Sequence, residues 1–71
     1  MIRGFAVINS KGKILVHTVS STERSAKVNW LGTNGGCRVL DSWTEEMIDS
    51  MFERLRGERE LVEVEIRVVG H

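Results

Sequence analysis

Apolar residues along this chain follow two periods, alternating in some segments and helical in others. Phe5-Ala6-Val7-Ile8 and Ile14-Leu15-Val16-His17-Thr18-Val19 are rich in β-branched residues and flank Asn9-Ser10-Lys11-Gly12-Lys13. Asn early and Gly late in that linker suit a type I turn closed by a left-handed residue at Gly12, which predicts a β-hairpin. Ser20-Ser21-Thr22-Glu23 then has the form of a capping box, with the Ser20 hydroxyl accepting from the Glu23 amide and the Glu23 carboxylate reaching back. A short helix over about 21–31 is expected to follow, with Ala26 and Trp30 on one face and Leu31 on its flank. Gly32 is placed to end it in a left-handed cap. Thr33-Asn34-Gly35-Gly36 reads as a loop, and Cys37-Arg38-Val39-Leu40 as a short strand.

The second helical pattern is stronger. Met47, Ile48, Met51, Phe52 and Leu55 form one apolar stripe, Thr44 is placed to cap it, and Trp43 to pack on Ile48 as a hydrophobic staple. Glu45 and Glu46 lie at the positive end of the helix dipole, Arg54 and Arg56 at the negative end, and Gly57 stops the helix. The last segment, Leu61 to Val69, alternates as a half-buried strand does, with Val62, Val64, Ile66 and Val68 expected inward. The resulting order, ββαβαβ, predicts a single α+β domain over 1–71. It is read as a two-layer sandwich: a small antiparallel or mixed sheet with two helices on one face. Should 37–40 be loop instead, a three-stranded sheet with two helices remains.

Composition limits the classes this fold can serve. A chain of 71 residues buries only about 60% of its unfolded surface, so stability is expected to be marginal. Hydrophobic residues at 41% and charged residues at 28% suit a globular domain. No apolar run approaches the roughly 20 residues of a membrane span. Met1-Ile2-Arg3-Gly4 opens into a strand pattern and does not resemble a signal peptide. Cys37 is the single cysteine, so no internal disulfide is expected and a cytoplasmic, reducing setting is inferred.

Charge changes the picture most. Residues 1–40 hold six Lys/Arg and one acid, whereas residues 41–71 hold four Arg and nine acids, so a formal net charge of zero conceals halves of opposite sign. Either the halves neutralise each other in the folded molecule, or one signed face meets a partner.

Candidate chemistry is sparse. A catalytic Cys37 needs a histidine within reach and a lowered pKa, and the histidines are His17 in a strand pattern and His71. Zinc binding by Cys37, His17 and His71 lacks the close ligand pairs of structural sites. Gly32-Thr33-Asn34-Gly35-Gly36 leaves a helix rather than leading into one, the reverse of a phosphate cradle. The acids fall on expected solvent faces rather than in a cleft. No catalytic role, cofactor or metal is expected.

Two binding readings remain. Glu45, Glu46, Asp49 and Glu53 occupy the arc of the second helix opposite its apolar stripe, and their like-charge i, i+4 pairs cost a few tenths of a kcal/mol each. This acidic face suits a protein partner with a basic surface, and Glu63 and Glu65 are expected to add acids on the outer side of the last strand. Alternatively, Lys11, Lys13 and Lys27 of the basic half could contact a nucleic-acid backbone, although no aromatic pair for base stacking accompanies them. A homodimer through an exposed strand edge at 61–69 is a further alternative.

Phe5-Ala6-Val7-Ile8-Asn9, Gly12-Lys13-Ile14-Leu15, Thr18-Val19-Ser20, Thr22 and the Ala26…Trp30 pair together resemble short proteins of unknown function encoded by bacteriophages and prophages. The resemblance spans residues 5–31, under half the chain. It implies a short accessory or inhibitor protein directed at host machinery, and no functional residue carries over from it.

Overall fold

The computed structural model describes residues 2–67. Its elements follow in the order β1 (Ile2–Ile8), a 3-10 turn (Val16–Thr18), α1 (Glu23–Thr33), α2 (Glu45–Leu55) and β2 (Glu60–Ile66). The domain is α+β, but among the described residues its sheet has two antiparallel strands, and the expected order ββαβαβ does not form. Two expected strands fail for different local reasons.

The turn after β1 forms as the sequence indicates. Gly12 sits at φ 79°, the Asn9 carbonyl accepts from the Gly12 amide at 2.9 Å, and Asn9 Oδ1 accepts from the Lys11 and Lys13 amides at 3.0 and 2.9 Å. The returning arm, however, bridges β1 only at Ile14 (opposite Ile8) and Ser20 (opposite Phe5). Between these points it winds into the 3-10 turn and leaves the ladder. The Val7 amide thereby loses its backbone acceptor, and Thr18 supplies another. Its Oγ1 accepts from the Val7 N–H at 2.9 Å and donates to the Leu15 carbonyl at 2.6 Å. A fully buried hydroxyl thus stands where a strand carbonyl was expected.

Residues 37–40 are loop. The Cys37 amide returns to the Leu31 carbonyl at 2.9 Å, and the half-buried Cys37 and Val39 pack against the core instead of extending a strand.

Helix α1 starts later than the capping box implies. Ser20 exchanges both backbone hydrogen bonds with Phe5, at 2.7 and 2.9 Å, so it is still part of the sheet and its amide is not free for Glu23. Thr22 caps the helix instead, its Oγ1 accepting from the Ser25 amide at 3.1 Å. Ser20 Oγ accepts from Asn29 Nδ2 at 3.0 Å and ties α1 to the sheet. The helix continues through Gly32 to Thr33, and the left-handed residue that follows is Gly36 at φ 62°. Helix α2 obeys its sequence signals: Thr44 Oγ1 accepts from the Met47 amide at 3.2 Å, and Gly57 takes φ 59° beyond the end.

Val7, Trp30, Leu31, Ile48 and Phe52 form the fully buried core, with Leu15, Trp43, Met51 and Leu61 packed against it. Trp30 meets Phe52 edge to face, centroids 5.4 Å apart at 81°, the arrangement that aromatic quadrupoles favour. Helix α1 lies against β1, and α2 lies against α1 rather than against the strands. The stripe on α2 is therefore only half used: Ile48 and Phe52 are buried, whereas Met47 is 47% and Leu55 39% exposed.

The strand register inverts one expectation. Val7 opposes Leu61, Phe5 opposes Glu63 and Arg3 opposes Glu65, and opposed residues share a side of the sheet. Because Val7 and Leu61 reach the core, Glu63 and Glu65 lie on the helix side of the sheet, exposed where the strands run on past the core. Val62, Val64 and Ile66 are half-buried on the other side. Val68 and Val69 lie outside the described residues.

Gly4 is a point of close approach. A Cβ there would sit 2.7 Å from the Ser20 carbonyl oxygen and 2.8 Å from Ile66 Cδ1. The isoleucine can rotate, but the oxygen is held by the Phe5 amide at 2.7 Å. Gly4→Ala is expected to cost about 1–3 kcal/mol, seen as a lower urea midpoint. An unchanged midpoint would show that Ser20 is not pinned against β1.

Candidate functional site

The acidic residues singled out from the sequence do share one helix, but the fold treats them unequally. Lys27 Nζ contacts Asp49 Oδ1 at 2.7 Å, and Arg56 Nε contacts Glu53 Oε2 at 2.9 Å. Lys27 is held between the helices with its side chain 13% exposed and its ammonium 5.6 Å from the Phe52 ring centroid. Asp49 and Glu53 are thus partly neutralised, whereas Glu45 and Glu46 have no ion pair among the described residues.

The same geometry divides the basic set. Lys11 and Lys13 are exposed in the turn after β1. Lys27 belongs to the seam between α1 and α2, and the fold does not present it as a third free lysine. Among the described residues the opposed halves of the chain meet in two ion pairs, Lys27–Asp49 and Arg3–Glu63, the latter at 3.3 Å on the exposed part of the sheet. Charge neutralisation within the molecule is therefore real at these places and incomplete elsewhere.

Beside Glu46 lies a feature the charge pattern does not reveal. Trp43, Thr44, Glu46, Met47, Ser50, Met51 and Arg54 line an open groove of about 400 Å³. Met47, Ser50, Met51 and Arg54 recur at i, i+3, i+4 and i+7, one flank of α2. Trp43 is set beside them because the Thr44 cap ends the preceding loop there and the Trp43 amide donates to the Leu40 carbonyl at 3.0 Å. Arg24 reaches across from α1, donating from Nη2 to the Trp43 carbonyl at 3.4 Å. The groove offers polarisable sulfur and an indole face, with a carboxylate at one end and a guanidinium at the other. The sequence sets Met47 and Met51 in one apolar stripe with Ile48, Phe52 and Leu55; the fold packs Met51 against the core and leaves Met47 exposed beside the groove. The available signal was the width of the stripe, five positions, more than a helix packed on a single neighbouring helix can cover.

Elsewhere the chemistry is quiet. Cys37 is half-buried and lines a cavity with Val28, Gly32, Gly36, Arg38 and Val39. His17 shares a hydrogen bond of 2.7 Å with Asn34 Oδ1 on the surface. Among the described residues no cluster of His, Cys, Asp and Glu is arranged to hold a metal ion, and no helix is long and apolar enough to cross a membrane.

No protein-family model, curated protein or solved structure matches this chain.

Proposed function

We propose that this protein is a non-enzymatic interaction module that binds another protein through the outer flank of α2. The observation that carries the reading is the groove between Trp43, Met47 and Met51, lined also by Glu46, which like its neighbour Glu45 has no ion pair among the described residues. A segment with an apolar side chain for the groove and Lys or Arg beside it fits both parts. Interfaces of this kind draw their energy from a few aromatic and Met anchors, while the charges set orientation and encounter rate. The resemblance to phage-encoded proteins supplies a setting, an accessory or inhibitor protein acting on host machinery.

The ion pairs also select the test. Reversing Asp49 or Glu53 disturbs contacts within the fold, so Glu45→Lys/Glu46→Lys is the cleaner variant. Each lysine at the helix N-terminus costs about 0.3–1 kcal/mol, so melting temperature is measured in parallel. Affinity capture from nuclease-treated lysate is expected to recover a protein partner with the parent chain and lose it with a folded double variant. Equal recovery by both, or a partner that disappears with nuclease, sinks the reading.

A further inference from the structure

Phe5 gives both of its backbone hydrogen bonds to Ser20, and the Val7 amide and carbonyl are taken by Thr18 and Leu15. Both residues therefore point their polar groups away from β2. In an antiparallel ladder their opposites, Glu63 and Leu61, point theirs away from β1 in turn, and Glu65 follows by alternation. Strand β2 thus leaves the backbone groups of Leu61, Glu63 and Glu65 without a sheet partner among the described residues. The helical layer does not overhang this edge, since the Glu63 and Glu65 side chains are 53% and 44% exposed. Strand edges left open in this way are templates for pairing.

We infer that β2 pairs antiparallel with β2 of a second copy about a two-fold axis, making one continuous four-stranded sheet. Charge selects this occupant and its register. Outward-pointing residues must meet outward-pointing residues, so Glu63 can oppose Leu61, Glu63, Glu65 or Arg67 of the other copy. The Glu63 and Glu65 registers place only like charges opposite one another, which destabilises cross-strand pairs; the Leu61 register brings no opposite charges together within β2, and the Arg67 register sets two opposite-charge pairs against a single like-charge pair at the axis. With Glu65 on the axis, Arg67 opposes Glu63 of the second copy at two symmetric places, and Val64 opposes Ile66 on the other side. The Glu65 pair at the axis is flanked by both Arg67 guanidinium groups, each already 3.4 Å from its own Glu65. An isologous contact closes on itself and leaves no further edge of this kind. It also adds buried surface to a small domain. This inference is independent of the α2 groove.

Sedimentation velocity on the full chain from about 10 µM to about 1 mM tests it, since that range spans the affinities of modest interfaces. A dimer is expected. Glu63→Pro removes an outward N–H that β1 does not use, a position where edge strands accept proline. It is expected to raise the dimer dissociation constant about tenfold or more, as loss of edge hydrogen bonds requires. Arg67→Glu is expected to weaken the dimer likewise, and Glu63→Arg/Arg67→Glu to restore it; this charge-swap series decides the matter if the proline variant fails to fold. A monomer throughout the range, a dimer indifferent to Arg67→Glu, or a double swap no tighter than the single reversal overturns the inference.

Discussion

Phe52→Ala is expected to lower the melting temperature by about 15 °C or more, or to leave the chain largely unfolded at room temperature. Phe52 is 1% exposed, meets Trp30 edge to face at 5.4 Å, and carries the Lys27 ammonium over its ring at 5.6 Å. With Ile48 it is one of only two fully buried residues by which α2 enters the core. Truncating such a side chain typically costs about 3–5 kcal/mol, against a total of about 5–15 for a folded domain, and a chain this short sits low in that range. Met47→Ala on the same helix, at a residue 47% exposed, is expected to change stability by less than about 1 kcal/mol. Urea titrations of both variants, followed by circular dichroism, make the comparison. Similar losses at the two positions would mean that α2 does not dock through its Phe52 side.

Thr18→Val carries the second large effect, because it changes almost no volume while removing a hydroxyl that serves two backbone groups. The Val7 N–H loses its partner beside a fully buried residue, while the Leu15 carbonyl keeps only the bond from the Thr18 amide at 2.9 Å. An unsatisfied buried donor costs about 1–3 kcal/mol, and for a domain of this size that corresponds to roughly 4–20 °C in melting temperature. Thr18→Ser keeps the oxygen and gives up one methyl group, about 1 kcal/mol, so it is expected to recover much of the loss. Amide exchange at Val7 provides a local readout: it is expected to accelerate in the valine variant and stay protected in the serine variant. Equal protection in both would show that water or a neighbouring carbonyl can replace Thr18.

Trp30 carries a cost of the same kind. Its indole Nε1 is buried with no hydrogen-bond partner among the described residues, while Arg59 lies 5.8 Å from the ring centroid. The favourable contacts there are aromatic and cationic, and they are made despite an unpaired donor.

Local rules were legible wherever a residue acts through its near neighbours. Asn9 and Gly12 shape the turn, and Thr44 and Gly57 bound α2, because each interaction spans only a few residues. The capping box that Ser20–Glu23 suggests does not form, because a distant residue, Phe5, takes both backbone groups of Ser20. Likewise the β-branched run Ile14–Val19 has the composition of a strand, yet the 3-10 turn interrupts it and Thr18 offers β1 a hydroxyl in place of a carbonyl. The acidic face was readable as a helical projection. That Lys27 reaches Asp49 while Glu45 and Glu46 stay without an ion pair was not, since it depends on how α1 lies against α2.

Periodicity, capping residues and turn chemistry in the sequence by itself determined an α+β chain with two helices, a secure α2, a first strand and its turn, and a last strand alternating in exposure. Tertiary structure decided how many strands pair, which side of the sheet carries Glu63 and Glu65, which acids are neutralised, and that Met47 borders a groove instead of a core. The division has one physical cause. Helix caps and tight turns satisfy backbone groups within a few residues, whereas sheet pairing, strand facing and ion pairing are settled by competition among partners far apart in sequence.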